Sequence, residues 1–125
     1  MSQTTDFPAY HAHLNELIAQ LRAELPAAIG SFFRLHTESL RPGALDTKTK
    51  ELISIGISIT AHCDGCVAYH VHDALEAGAS RDEVLETIGV AVMMGGGPAL
   101  VYGAQALEAL DQFEDKHLKT AGVAS

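Results

Sequence analysis

The segment between Glu86 and Glu108 contains no charged side chain, which restricts where this part of the chain can lie. An uncharged run of this length is long enough to suggest a membrane-spanning helix. However, Gly95-Gly96-Gly97-Pro98 lies in its middle, and these residues would interrupt a helix inside a membrane. We therefore predict two buried helices joined by a glycine loop. The loop is not predicted to bind phosphate, because it lacks the Lys-Ser/Thr pair of that motif.

The length, the net charge and the first residues of the chain restrict its class. With 125 residues, it is predicted to form a single domain over residues 1–125. A net charge of -8 without a basic cluster argues against binding to nucleic acid or to an anionic membrane surface. Met1–Asp6 has neither the basic nor the apolar region of a secretory signal. We therefore expect a cytoplasmic protein whose cysteines face a reducing environment.

Apolar residues recur at steps of three and four through much of the chain, which predicts about six helices. The fifth begins with a capping box at Ser80-Arg81-Asp82-Glu83. The other helices are predicted from about Pro8 to Leu25, from Ile29 to Leu40, from Thr47 to about Ala61, from about Asp64 to Ala77, and from near Pro98 to about Lys116. Residues Thr120 to Ser125 are predicted to be a frayed tail.

The third of these helices has a contradictory pattern. Ile53, Ile55, Ile57 and Ile59 alternate with serine and glycine, and a period of two in β-branched residues is typical of a strand. Asp46, in contrast, is a good N-cap for a helix that begins at the next residue. The periodicity alone leaves both interpretations open.

The most informative part of the sequence is the run His62-Cys63-Asp64-Gly65-Cys66-Val67-Ala68-Tyr69-His70-Val71-His72. If the run is helical, Cys66 lies about 300° and His70 about 700° around the helix axis from Cys63. The three residues then share one face of the helix, and His72 lies on the opposite face.

This arrangement favours redox chemistry at the thiols. A cysteine at the N-terminus of a helix faces unpaired N–H groups and the positive end of the helix dipole, which stabilise a thiolate. His70 follows Cys66 by one turn and can accept or relay its proton. Cys63 is close enough to Cys66 in sequence to form a disulfide with it after oxidation.

A zinc site is the main competing interpretation. Cys63, Cys66 and His70, together with either His62 or His72, are competent zinc ligands. Structural zinc sites usually combine two separated pairs of ligands, and this chain has no second pair outside the run. The remaining histidines are expected at the surface or at the edge of the core, and they are His11, His13, His36 and His117.

These residues resemble the AhpD-like alkylhydroperoxidase branch of the carboxymuconolactone decarboxylase family. That branch is marked by a glutamate, eleven residues, Cys-x-x-Cys, three residues and a histidine. Glu51, Cys63, Cys66 and His70 match this spacing. The flanks are similar as well, namely Gly43-Ala44-Leu45-Asp46 before the glutamate and Met93-Met94-Gly95-Gly96-Gly97-Pro98-Ala99 after the fifth helix. The resemblance covers about residues 26 to 110.

The resemblance implies an all-α fold, with the isoleucine-rich segment helical, and an assembly of copies as a homotrimer or homohexamer. It also implies that Cys66 attacks a peroxide, that Cys63 resolves the product, and that Glu51 and His70 relay protons. Some members carry a further histidine directly before the second cysteine, where this chain has Gly65. The relay is then shorter here, or His62 serves in part.

The sequence therefore predicts a thiol-dependent peroxidase or disulfide reductase without a bound cofactor or metal. Its substrate is expected to be an organic hydroperoxide or hydrogen peroxide, and its reductant a lipoyl-bearing or thioredoxin-like protein. His62 and Tyr69, which point to the sides of the predicted cysteine face, are auxiliary site candidates. Two alternatives stay open: a lyase similar to carboxymuconolactone decarboxylase, and a non-catalytic zinc-binding or assembly protein.

Overall fold

The computed structural model describes residues 5–120, and side chains up to residue 116. Six helices form this part of the chain, without any strand between residues 5 and 120, so the all-α prediction is confirmed. They are α1 (Phe7–Glu24), α2 (Pro26–Leu40), α3 (Thr47–Thr60), α4 (Asp64–Glu76), α5 (Arg81–Gly95) and α6 (Gly97–Thr120). Most of the predicted tail, the start of the chain and the His117 side chain lie outside the described residues. No helix within the described range is long and apolar enough to cross a membrane.

The core forms between α3, α4, α5 and α6, and α1 packs across α4 and α6. Helix α2 is the outermost helix, since it contacts α1 and α3 and contains no buried residue. The fully buried residues of the core come mainly from α3, α4 and α6, including Ile55, Ile59, Val67, Val71 and Leu110.

Helix starts follow the local sequence. The Asp46 side chain accepts a hydrogen bond from the Thr49 N–H at 2.7 Å, as its predicted N-cap role requires. The capping box at Ser80 and Glu83 is complete, since each side chain accepts a hydrogen bond from the other residue's N–H. Helix α2 begins at Pro26, which occupies the first helical turn directly after Leu25, three residues before the first apolar residue of its predicted pattern, Ile29.

Helix α3 resolves the contradictory isoleucine pattern. Ile55 and Ile59 are both 0% exposed, whereas Ile53 is 46% and Ile57 61% exposed. Residues four apart lie on the same face of a helix, so the four isoleucines form two pairs on different faces. The strand interpretation is therefore wrong, and the period of two arises from two helical faces that are both apolar.

Ile59→Ala is expected to lower the free energy of unfolding by about 2–5 kcal/mol, because this fully buried side chain leaves a cavity in the core. Ile59→Val removes only one methylene, and its expected cost is about 0.5–1.5 kcal/mol. Urea unfolding followed by circular dichroism measures both values. A cost for Ile59→Ala no larger than that for Ile59→Val would contradict the burial of this side chain.

The glycine loop between α5 and α6 is a single residue. Gly96 has a φ of 70°, in the left-handed region that side chains disfavour. Gly95 lies close to the next helix, since a Cβ added there would be 2.6 Å from the Cβ of Ala99. The predicted linker is therefore correct, and glycine is required at these positions for two different reasons.

The burial predicted for these two helices is only partly correct. Val84, Ala91 and Ala99 are buried, but several large apolar side chains around the loop are more than half exposed. Within one chain each helix has a single face toward the core, so a helix that is apolar on all sides leaves its outer face open. The exposed residues are Val90, Met93, Met94, Leu100 and Val101.

Candidate redox site

The two cysteines form a disulfide at the beginning of α4. Cys63 is the N-cap of the helix and Cys66 lies in its first turn, with their Cα atoms 5.2 Å apart. The Sγ of Cys63 also accepts a hydrogen bond from the backbone N–H of Cys66 at 3.2 Å. Both sulfurs therefore lie at the positive end of the α4 dipole, where a thiolate formed by reduction is stabilised.

A buried carboxylate, that of Glu51, lies beside α4. Glu51 is only 3% exposed, and its Oε1 accepts a hydrogen bond from Nδ1 of His70 at 2.7 Å. The two residues are far apart in sequence and meet because α3 packs along α4. A buried carboxylate needs such a partner, since its desolvation would otherwise be costly. With its proton on Nδ1, the imidazole keeps Nε2 available for proton exchange.

A pocket of about 340 Å³ is lined by both cysteines and by His70, but not by the buried Glu51. One wall is apolar and comes from α1 and α2, and the opposite wall carries the cysteines and His70. His36 of α2 lies inside the pocket, and its ring stacks against that of His70 with centroids 6.2 Å apart. The lining residues are Leu14, Ile18, Phe32, Phe33, His36, Cys63, Gly65, Cys66, Tyr69 and His70.

The two auxiliary candidates have different surroundings. Tyr69 lines the pocket, and its hydroxyl donates a hydrogen bond to Oδ1 of Asn15 at 2.7 Å. Burial, with a smaller contribution from Asp73, raises the pKa of Tyr69, so its hydroxyl keeps its proton at neutral pH. The His62 ring instead stacks on Tyr102 of α6, with centroids 4.7 Å apart, and is absent from the pocket lining.

Gly65 lies where α1 passes over the start of α4. A Cβ added at this position would be 3.1 Å from Cδ1 of Leu14 and 3.7 Å from the Tyr10 hydroxyl. Helix α1 therefore fills the space into which a side chain between the two cysteines would extend. A histidine at this position would require Leu14 to move.

In this state of the protein neither cysteine offers a thiolate to zinc, because both sulfurs are joined in the disulfide. The structure therefore does not contain the predicted zinc ligand set. Among the described residues, two other groups of polar side chains converge, and both contain Asp73. In one group Glu51 already bonds to His70, and in the other His72 Nδ1 bonds to Asp73 at 2.8 Å. Both groups are thus internally hydrogen-bonded clusters.

Two residues of this region were missed by the sequence analysis. Asp73 follows His70 by three residues, so its place on the same helix face was visible in the sequence. His36 was expected at the surface or at the edge of the core. Its position in the pocket depends on how α2 packs, and no local pattern around it indicates this.

The sequence model of the carboxymuconolactone decarboxylase family matches residues 26–109, from the start of α2 to about the middle of α6. The chain belongs to this family. A family member from Legionella pneumophila has a solved structure that is 40% identical, with a TM-score of 0.83, over 86% of this chain and 96% of that one. A member from Thermotoga maritima, with a suggested role in antioxidative response, is 30% identical with a TM-score of 0.68, over 86% of this chain and 96% of that one. These matches confirm the resemblance stated from the cysteine motif.

An uncharacterized protein of Cupriavidus necator is also similar to this chain. It is 32% identical over 108 residues, which cover 86% of this chain and 96% of the relative. A second relative, from Haemophilus influenzae, is 30% identical over 105 residues, covering 84% of this chain and 93% of its own length. The chain therefore spans nearly the full length of both of these relatives.

Proposed function

We propose that this family member is a thiol-dependent peroxidase or disulfide reductase in which Cys66 attacks and Cys63 resolves. The observation that carries the proposal is the Cys63–Cys66 disulfide at the start of α4, in a pocket that His70 also lines, with the buried Glu51 hydrogen-bonded to His70 behind it. The suggested role of the Thermotoga maritima relative in antioxidative response supports the same chemistry.

In the proposed reaction, the Cys66 thiolate attacks the terminal oxygen of a hydroperoxide, ROOH. The O–O bond breaks, a proton goes to the departing RO⁻, and the products are ROH and a sulfenic acid on Cys66. The Cys63 thiol then displaces hydroxide from this sulfur, and the disulfide forms with release of water. An external dithiol reduces the disulfide and becomes a disulfide itself, which restores both thiols.

Glu51 and His70 handle the protons in this scheme. His70 takes the proton from Cys66 and returns it to the departing alkoxide, and Glu51 orients the imidazole through Nδ1 and stabilises its positive charge. His62 remains an auxiliary proposal, although its ring stacks on Tyr102. Tyr69 is the better placed of the two auxiliary candidates, because it lines the pocket.

The shape of the pocket suggests substrates and partners. Leu14, Ile18 and Phe33 provide an apolar wall that suits the organic part of a hydroperoxide, while hydrogen peroxide is small enough to enter as well. The reductant is proposed to be a lipoyl-bearing or thioredoxin-like protein of a reducing cytoplasm. No bound cofactor is needed, because the two sulfurs carry the electrons.

A peroxide-consumption assay tests the proposal, with dithiothreitol as reductant in one arm and a dihydrolipoyl carrier protein in the other. Consumption that requires the reductant and disappears in Cys66→Ser is the expected result. Cleavage of a disulfide substrate without peroxide consumption would favour the reductase. Stoichiometric zinc with both thiols blocked in the reduced protein would contradict both activities.

We also propose that copies of this chain associate through a groove between α3 and α5, here called the α3/α5 groove. Its volume is about 400 Å³, and no charged side chain lines it. Each copy carries a net charge of -8, so contact between copies is least opposed where acidic side chains are missing. The lining residues are Thr49, Leu52, Ile53, Gly56, Ile57, Thr60, Thr87, Val90, Ala91 and Met94.

Ile57→Lys is expected to dissociate the homotrimer or homohexamer, because it places a charge inside an apolar contact. Light scattering after size-exclusion chromatography measures the mass. Leu17→Lys is the matched control, since Leu17 is exposed on α1 outside the groove. A wild-type monomer at micromolar concentration, or dissociation by Leu17→Lys alone, would contradict this interface.

A further inference from the structure

Asp73 lies beside the proposed proton relay without belonging to it. Its carboxylate follows His70 by one turn on α4, and one of its oxygens lies within 4.8 Å of both a ring nitrogen of His70 and a carboxylate oxygen of Glu51. Its side chain is 31% exposed, compared with 4% for Glu51 and 19% for His70. Asp73 therefore lies between the buried pair and the surface.

A second histidine holds the Asp73 carboxylate in place. Nδ1 of His72 donates a hydrogen bond to Oδ1 of Asp73 at 2.8 Å. The His72 ring in turn stacks on that of His11 from α1, with centroids 4.4 Å apart, and packs against Phe113 of α6. Side chains from two other helices, α1 and α6, thus restrict the rotamer of His72, and through it the position of the carboxylate.

Ionisable groups from several helices surround Asp73. Helix α3 contributes Glu51, α1 contributes His11, and α6 contributes Lys116, which acts on both His11 and His72. On α4 itself the neighbours are Tyr69, His70, His72 and Glu76, and His36 of α2 faces His70.

The two stacked histidines, His11 and His72, differ in how readily they bind a proton. The hydrogen bond to Asp73 raises the pKa of His72, whereas burial and the proximity of His72 lower the pKa of His11. Of the stacked pair, His72 is therefore the histidine that takes up a proton more readily. A protonated His72 is the stronger hydrogen-bond donor to the carboxylate of Asp73.

We propose that Asp73 is a positioning residue for the thiol chemistry: anchored by His72, its carboxylate stabilises a positively charged His70, which in turn stabilises the thiolate of Cys66. An anion within 4.8 Å of an imidazole favours its charged form, and a cationic histidine favours the thiolate of a neighbouring cysteine. This inference rests on the proposed function, since it assigns Asp73 to the same site.

The pH dependence of Cys66 alkylation by iodoacetamide tests this role in the reduced protein, in a Cys63→Ser background in which only Cys66 can react. Asp73→Asn is expected to raise the pH midpoint of alkylation by about half a unit to one unit. Asp73→Glu is expected to restore most of the shift, and His72→Gln to give a smaller rise because the carboxylate remains but loses its anchor. Glu76→Gln is the matched control. It also removes one carboxylate from α4, but that carboxylate is exposed and lies 4.0 Å from His72 Nε2, the ring nitrogen that does not bond to Asp73.

The sign of the shift separates the proposal from its alternatives. A carboxylate that acted directly on the sulfur would disfavour the thiolate, so its removal would lower the midpoint. A lower midpoint, an unchanged midpoint or an equal shift in Glu76→Gln would each overturn the role of Asp73. Alkylation requires neither peroxide nor a disulfide substrate, so a protein that consumes no peroxide and cleaves no disulfide would contradict the proposed function while leaving this measurement intact.

Discussion

Cys63→Ser is expected to form a sulfenic acid on Cys66 that a dimedone probe traps, but to lose peroxide turnover because no thiol remains to resolve it. Cys66→Ser is expected to show little trapping and no turnover. The reason is position: Cys66 lies in the first turn of α4, one turn before His70, whereas Cys63 is the N-cap. Mass spectrometry after treatment with peroxide and dimedone identifies the labelled cysteine in each variant.

The wild-type protein provides the control for this pair of variants. Treated with peroxide, it should lose two hydrogens and protect both thiols from alkylation, because an intramolecular disulfide forms. Labelling of Cys63 in Cys66→Ser as fast as wild-type oxidation would reverse the assignment of the two cysteines. Absence of labelling in both variants would contradict the peroxidase itself and favour the disulfide reductase or a metal site.

Glu51→Gln is expected to reduce peroxide turnover by about 100-fold or more, since general acid–base groups contribute about 10²–10⁴-fold. The amide keeps the size of the carboxylate and can still accept the hydrogen bond from His70, so the change mainly removes one buried charge. The pH midpoint of Cys66 alkylation should rise as well, because the imidazolium loses its counter-charge. His70→Ala is expected to produce both effects. Steady-state turnover and alkylation rates across pH measure them.

Glu86→Gln is the matched control for Glu51→Gln, because it removes the same charge from an exposed position on α5. It should retain wild-type turnover and alkylation. Thermal unfolding of both variants shows whether the fold is intact. Turnover of Glu51→Gln within a factor of two of the wild type would remove the carboxylate from the proposed relay.

The fold was predictable from the sequence where helix ends carry strong local signals. Asp46, the Ser80 capping box and Gly96 each determine a helix boundary through their own backbone chemistry, and the structure confirms all three. The isoleucines of α3 were not interpretable in this way. Their two helical faces are both apolar, and a pattern along the sequence does not tell which face a neighbouring helix covers.

In the site, too, the contacts within one helix were predictable from the sequence, whereas the contacts between helices were not. The spacing of Cys63, Cys66 and His70 within one helix was sufficient to predict that they lie close together. Glu51 was assigned through the family motif, and its 2.7 Å contact with His70 depends on the packing of α3 along α4. The position of His36 depends on α2, a helix without a buried residue, so no core pattern in the sequence indicates it.

The N-cap position of Cys63 links the redox state of the protein to the stability of a helix. The sulfur that enters the disulfide also accepts a hydrogen bond from the backbone N–H of Cys66, so reduction changes the atom that caps the helix. If the Cys63 cap stabilises α4 by a different free energy in the oxidised and the reduced protein, a thermodynamic cycle requires that this difference also changes the reduction potential of the disulfide. For a two-electron couple, about 1 kcal/mol corresponds to about 20 mV. Substitutions or solvents that stabilise the first turn of α4 in one state therefore also shift the equilibrium with the external reductant.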